Sequence, residues 1–315
     1  MSEITHRQIK TNGINMHIAE AGEGPLVLML HGFPELWYSW RHQLPALAEA
    51  GFHAVAPDVR GYGRTDAPEP IEAYTMRELT ADAVGVLDAL GEREAVVIGH
   101  DWGAPMAWNS AVLYPDRFRA VAALSVPYLP RGPLPPTQMF KQIFGGNFFY
   151  MLYFQEPGVA EEEFEADVRA AMRKFIYYAS GDAPENAGLG TRPNTSKMFE
   201  GMTDPDRMPA WISDADLDYY LAEFERTGFR GGLNRYRNMD RDWQELSELA
   251  GAPVKQPALF IAGDRDAVIR MAPMDVMKSL VPNLKTVMLP GCGHWTQQER
   301  PREVNAELIA FLNSL

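Results

Sequence analysis

The chain has one cysteine, Cys292. No intrachain disulfide can form, and a tetrahedral zinc site built on several thiolates is excluded. Basic residues are outnumbered, 29 Lys and Arg against 42 Asp and Glu, for a formal net charge of −13. With no Lys/Arg run to offset it, that balance opposes phosphate backbones and anionic lipid surfaces, so neither nucleic acid nor a membrane surface is expected as a partner. No apolar run approaches the ~20 residues that span a bilayer. The N-terminal MSEITHRQIK lacks the apolar core of a signal peptide, and a cytoplasmic protein is expected. No internal repeat or low-complexity tract occurs. What remains is 315 residues, 46% hydrophobic and 23% charged, in the range of a folded chain of one large domain or two small ones. Such a chain can bury its core without a metal or disulfide staple.

Asn12-Gly13 between two alternating stretches predicts a β-hairpin. Short apolar runs follow at Leu26–Leu30, Val55–Pro57, Ala95–Ile98 and Val121–Leu124, each ending at Gly, Pro or a polar residue. Buried parallel strands have this form, because helices cover both faces. Between them, Met76–Leu90 carries apolar residues near the helical period, and Pro105–Tyr114 is a second helix stopped by Pro115. The alternation predicts an α/β fold with a mostly parallel sheet. After Pro127 the pattern breaks. Pro130, Gly132, Pro133, Pro135 and Pro136 suggest a linker, and residues 137–245, rich in aromatics and helix formers, a helical insertion. Strands resume at Pro257–Gly263 and Lys285–Leu289, and a helix over Arg302–Leu315 closes the chain. The expected division is a core of 1–136 and 246–315 with a helical cap of 137–245.

The chemistry concentrates at strand ends. In Val96-Val97-Ile98-Gly99-His100-Asp101-Trp102-Gly103-Ala104 a strand runs into a turn and a helix, with small residues around Asp101. That is the form of a nucleophile elbow, in which small neighbours let a strained turn project one side chain. The central residue is an aspartate, not the usual serine. A carboxylate needs no base to deprotonate it before attack on carbon. The simpler role for Asp101 is a helix N-cap. His31-Gly32-Phe33-Pro34 follows the strand Leu26–Leu30, and the backbone N–H groups of Phe33 and Trp102 could form an oxyanion hole. His294, in Gly291-Cys292-Gly293-His294-Trp295 after another strand, is placed to activate water as a general base. In Gly263-Asp264-Arg265-Asp266 one acid should orient that histidine; Asp266 is favoured, with Asp264 as a turn residue. His6, His17, His42, His53 and His100 lack such a setting and are expected to be structural or on the surface; His31 is expected to support its loop. Glu161–Glu163 has the form of a solvated helix start. Cys292 beside His294 raises the prospect of an oxidation-sensitive thiol.

These residues resemble the soluble epoxide hydrolases of the α/β-hydrolase fold. The likeness runs from about residue 5 to the end. It is carried by HGFPELWYSWRHQLPAL from His31, DVRGYGRTDAP from Asp58, GHDWGAP from Gly99 and GCGHWTQQERP from Gly291. FYMLYFQEPG from Phe149 and LNRYRNM from Leu233 look like the segments that carry the family's two cap tyrosines, which places these at Tyr150, rather than Tyr153, and at Tyr236. The length matches the single-unit bacterial and plant forms. The resemblance implies that Asp101 attacks an epoxide carbon while Tyr150 and Tyr236 serve the opening oxygen. Water activated by His294, with Asp266 behind it, would then hydrolyse the ester. No cofactor or metal is implied. Phe33, Trp37, Trp102, Tyr150 and Tyr236 suggest an apolar substrate pocket, for a small apolar epoxide and water. A monomer or homodimer is compatible with the sequence.

Two other functions share these features. A haloalkane or haloacid dehalogenase also uses an elbow aspartate; Phe33 in place of a halide-binding Asn, and the two tyrosines, argue against it. A non-catalytic ligand receptor on the same fold is the third, opposed by the presence of Asp101, Asp266, His294, Tyr150 and Tyr236 together.

Overall fold

The computed structural model describes residues 3–184, 192–271 and 274–315. Residues 185–191, within the expected helical insertion, lie outside the described residues.

Eight strands form one sheet: β1 (Thr5–Thr11), β2 (Ile14–Ala21), β3 (Leu26–Leu30), β4 (His53–Pro57), β5 (Ala95–His100), β6 (Phe118–Leu124), β7 (Ala258–Gly263) and β8 (Leu284–Leu289). Their order across the sheet is β1-β2-β4-β3-β5-β6-β7-β8. β1 and β2 are the hairpin, antiparallel, with left-handed Asn12 (φ 40°) and Gly13 (φ 79°) in its turn. β2 also runs antiparallel to β4, and every pairing from β4 to β8 is parallel.

The uninterrupted apolar runs have the physical cause the sequence suggested. All residues of β3, β5 and β7 are buried. Side chains alternate between two cores, because successive Cβ atoms point to opposite faces. Leu26, Leu28 and Leu30 join the core under helices Met76–Leu90 and Gly103–Leu113. Val27 and Met29 join the other, with Leu44 and Leu47 of helix Gln43–Glu49 and Leu308 of helix Pro301–Leu312. The edge strand β8 is largely exposed and carries Lys285. Charge on an edge strand discourages pairing with another chain.

Between β6 and β7 the chain forms helices Pro136–Phe144, Tyr150–Tyr153, Val159–Ala166, Val168–Ala179, Asp214–Thr227, Arg230–Arg237 and Met239–Glu245. Among the described residues it adds no strand to the sheet there. Pro136, expected in a linker, opens the first of these helices, where a missing N–H costs nothing. The Glu161–Glu163 run stands at a helix start, as expected, but of the three only Glu162 is exposed. Glu161 is buried, caps its helix through Gly158 N–H at 2.9 Å and pairs with Arg237 at 2.8 Å. Glu163 accepts the backbone N–H groups of Met198 and Phe199 at 2.8 and 3.0 Å. No helix among the described residues is long and apolar enough to cross a membrane.

Candidate active site

β5 delivers Asp101 at the sheet's carboxyl end, in the left-handed region at φ 50°. The glycines around it are required by close backbone approach. A Cβ on Gly99 would strike the Gly103 carbonyl, and one on Gly103 the Leu30 carbonyl. A Cβ on Gly32 would collide with the Asp101 carboxyl group itself. Elbow and preceding loop are therefore pressed together, and the Phe33 backbone N–H donates to Asp101 Oδ1 at 2.7 Å.

The other carboxylate oxygen, Asp101 Oδ2, lies 3.3 Å from His294 Nε2. The opposite ring nitrogen, Nδ1, meets Asp266 Oδ2 at 3.0 Å. Asp266 is buried and its Oδ1 accepts the Val268 N–H at 2.8 Å, which fixes the carboxylate. Asp264 does different work: exposed, it accepts the Gly291 N–H at 2.8 Å and ties the histidine loop to β7. The structure thus separates the two acids that the sequence set side by side.

Charge follows from this geometry. Burial disfavours the ionised form of Asp101, but the His294 imidazole outweighs it and holds the carboxyl below its ordinary range. Burial also opposes charge on His294; the carboxylates of Asp266 and Asp101 overcome it and lift the imidazole well above its ordinary value. Both shifts favour an imidazolium on His294, placed between Asp101 and Asp266.

The helical segment supplies the facing wall. Tyr150 and Tyr236 meet edge to face with ring centroids 6.1 Å apart. Burial pushes both hydroxyls up, and the Asp101 charge pushes both further, so each remains a proton-bearing donor. Trp102 lies edge-on to Tyr236 at 5.1 Å, and Phe33 is edge-on to the same tyrosine at 5.6 Å. Tyr153 is turned elsewhere, with its hydroxyl donating to Glu163 at 2.7 Å.

Trp37, expected in the pocket, is not brought to these residues. It belongs to the core on the other face of the sheet from Phe33 and Tyr236. Its backbone N–H is held by Asp58 at 3.0 Å, and its indole N–H donates to the Tyr219 hydroxyl at 2.7 Å. Cys292 is fully buried and burial, followed by Glu299, pushes its thiol up, which opposes the thiolate that oxidation requires.

Two residues beneath the site were missed in their role. Glu35 is buried and meets His100 Nδ1 at 2.6 Å, while accepting Gly32 N–H at 3.0 Å and the Gln297 amide at 3.0 Å. His100 donates its Nε2–H to the His294 carbonyl at 2.7 Å. Both ring nitrogens of His100 are engaged, one by Glu35 and one by the His294 carbonyl, and the ring braces the histidine loop from below. His31 supports its own loop by donating Nδ1–H to the Gly32 carbonyl at 2.9 Å, and accepts the Val59 N–H at 2.9 Å from the loop after β4. The position of Glu35 directly after the HGFP turn was the only available signal, and nothing in the local pattern marks it as buried.

Among the described residues no group of three or more His, Cys, Asp or Glu is arranged to hold a metal ion.

Comparison with known proteins agrees with this geometry. A family model described as α/β hydrolase fold matches residues 25–301. Epoxide hydrolase A of Mycobacterium tuberculosis is 49% identical over 319 residues, spanning 100% of this chain and 99% of its own. Epoxide hydrolase 3 of Siraitia grosvenorii is 42% identical, over 99% of both chains. Among solved structures, epoxide hydrolase A from Mycobacterium thermoresistibile superposes with a TM-score of 0.95 at 50% identity, covering 99% of this chain and 98% of that one. Potato (Solanum tuberosum) epoxide hydrolase I gives 0.89 at 37% identity, covering 99% and 100%. This chain therefore belongs to the α/β-hydrolase fold family, within its epoxide hydrolases.

Proposed function

We propose that the chain hydrolyses epoxides to vicinal diols through a covalent ester on Asp101. The observation that carries the proposal is the Asp101 carboxylate, backed by His294 and Asp266 on one side and faced by two proton-bearing tyrosines on the other. An epoxide needs a nucleophile at carbon and a donor at oxygen, and this site offers both across a narrow space.

With Oδ1 held by the Phe33 N–H, Oδ2, which faces His294, is the oxygen assigned to the attack. As the C–O bond of the epoxide breaks, Tyr150 and Tyr236 donate to the leaving oxygen, and one proton passes to it. Ester formation removes the Asp101 charge, one of the two anions that hold the imidazolium. His294 then sheds its proton, which restores the tyrosine that gave one to the new hydroxyl, and becomes a base. Water attacks the Asp101 ester carbon, its proton goes to His294, and the Phe33 and Trp102 backbone N–H groups stabilise the oxyanion. The diol leaves and the ion pair re-forms, so protons balance over the cycle. In this account residues 137–245 act as a cap on a core of 1–136 and 246–315. The wall of Phe33, Trp102, Tyr150 and Tyr236 favours a small apolar epoxide. We place the enzyme in the cytoplasm as a monomer or homodimer, which fractionation and size-exclusion chromatography test.

Incubation with styrene oxide should yield phenylethanediol, and incubation with chloroalkanes or chloroacetate should release no halide. Halide release without diol formation would replace this function with that of a dehalogenase.

A further inference from the structure

Three non-glycine residues among those described have left-handed backbones: Asn12, Asp101 and Ser125. Asn12 sits in a hairpin turn, where that conformation is ordinary. Asp101 is the nucleophile. Ser125 is in neither situation. It follows the last residue of β6, has φ 67° and is fully buried. β6 lies between β5, which ends at the nucleophile, and β7, which leads to Asp266. A strained conformation persists only where its surroundings over-determine it, and such residues gather at functional sites.

The strained backbone aims the Ser125 hydroxyl at one place. Its Oγ donates to the His294 carbonyl at 2.7 Å and meets Thr296 Oγ1 at 2.7 Å. The same carbonyl accepts the Thr296 N–H at 2.8 Å and His100 Nε2–H at 2.7 Å. The Ser125 N–H is spent on Ile261 of β7 at 3.0 Å, so its side chain serves the histidine loop alone. Asp266 and Asp101 hold the tips of the imidazole, whereas Ser125 fixes the root from which the ring projects.

We propose that Ser125 is a positioning residue for His294, held in a strained conformation to seat the histidine for attack of water on the Asp101 ester. The proposal rests on the ester reading above. It concerns the second half-reaction, in which the ring has lost its charged partner Asp101 and depends most on its backbone anchor. Ring opening, which uses Asp101 and the tyrosines, is untouched.

Two variants separate the hydroxyl from the strain. Ser125→Ala removes the hydroxyl and keeps the left-handed strain. Ser125→Gly removes both, since glycine adopts φ > 0 freely. Both should slow ester hydrolysis by about tenfold or more, on the scale set by misplaced catalytic groups. kcat and KM should then fall together with kcat/KM preserved, and the alkylated Asp101 peptide should accumulate in mass spectra at steady state. The melting temperatures should diverge, Ser125→Gly above Ser125→Ala, although their kinetics agree. Ester hydrolysis within twofold of wild type in both variants would overturn the proposal. So would a loss of kcat/KM that tracks melting temperature, which would make Ser125 structural only. His294→Asn provides the control. If no alkylated Asp101 appears even there, the ester reading falls and this proposal with it.

Discussion

In the proposed mechanism Asp101 attacks carbon without a base, because His294 and the Phe33 N–H favour its anion. Asp101→Asn should lower turnover of styrene oxide by at least about 10³-fold and form no ester. The same substitution imitates the neutral, esterified state. The His294 imidazole should therefore titrate at lower pH in Asp101→Asn than in wild type, as its NMR signals would report; an unchanged value would refute the proton balance proposed here. Stability carries the same sign. The folded pKa of His294 lies above its ordinary 6.5, so its contribution is complete below pH 6.5 and lost as pH rises through the raised value. Asp101 is the reverse, contributing fully above 3.8 and losing that contribution as pH falls through its depressed value. Resistance of the wild type to urea should thus weaken on the alkaline side, with onset at lower pH in Asp101→Asn. The tyrosines differ by where their hydroxyls point. Tyr150→Phe or Tyr236→Phe should each cost about 10²-fold in the rate of ester formation. Tyr153→Phe, whose hydroxyl is bound to Glu163, should stay within about twofold.

At the scale of elements, the elbow is a packing problem solved by glycine. Gly99→Ala or Gly103→Ala puts a methyl against a backbone carbonyl that cannot retreat. Either should cost about 3 kcal/mol, as overpacking does, with loss of activity; urea unfolding measures it. The ion pair Glu161–Arg237 ties helix Val159–Ala166 to the helix bearing Tyr236, with both side chains largely buried. Arg237→Met leaves Glu161 buried and unpaired, which should cost about 3 kcal/mol. These elements also show what a sequence discloses. Leu26–Leu30 and Met76–Leu90 stand where the hydrophobic pattern put them, because burial on both faces and helical period are local signals. The separation of Asp266 from Asp264 depends on which side of a turn each carboxylate faces, so the motif could only favour one. Glu161 looked solvated because its partner is 76 residues away. Trp37 shares a motif with Phe33 but not its side of the sheet, which only the turn between them decides.

For the whole molecule, the site is assembled from distant parts of the chain. β3 leads to the Phe33 loop, β5 to Asp101, β7 to Asp266 and β8 to His294, while helices inserted between β6 and β7 bring Tyr150 and Tyr236. Ligand sites of open parallel sheets lie at the strands' carboxyl ends. Order along the chain and motif spacing conveyed that much. The brace of Glu35, His100 and Ser125 under His294 was not legible, because it arises only when β5, β6 and the histidine loop pack together. The net charge of −13 and the aromatic wall make a further prediction about substrates. A neutral aryl epoxide should exceed the anionic epoxide glycidate in kcat/KM by about tenfold or more, since the molecule's field repels anions and the pocket wall is apolar. The central claim, a covalent ester on Asp101, is tested most directly by one turnover of styrene oxide with excess enzyme in ¹⁸O-labelled water, followed by mass analysis of diol and the Asp101 peptide. The account predicts label in the Asp101 carboxylate and an unlabelled diol, because water attacks the ester and the original aspartate oxygen leaves with product. Label in the diol and none in the peptide would mean direct attack of water on the epoxide and would contradict it.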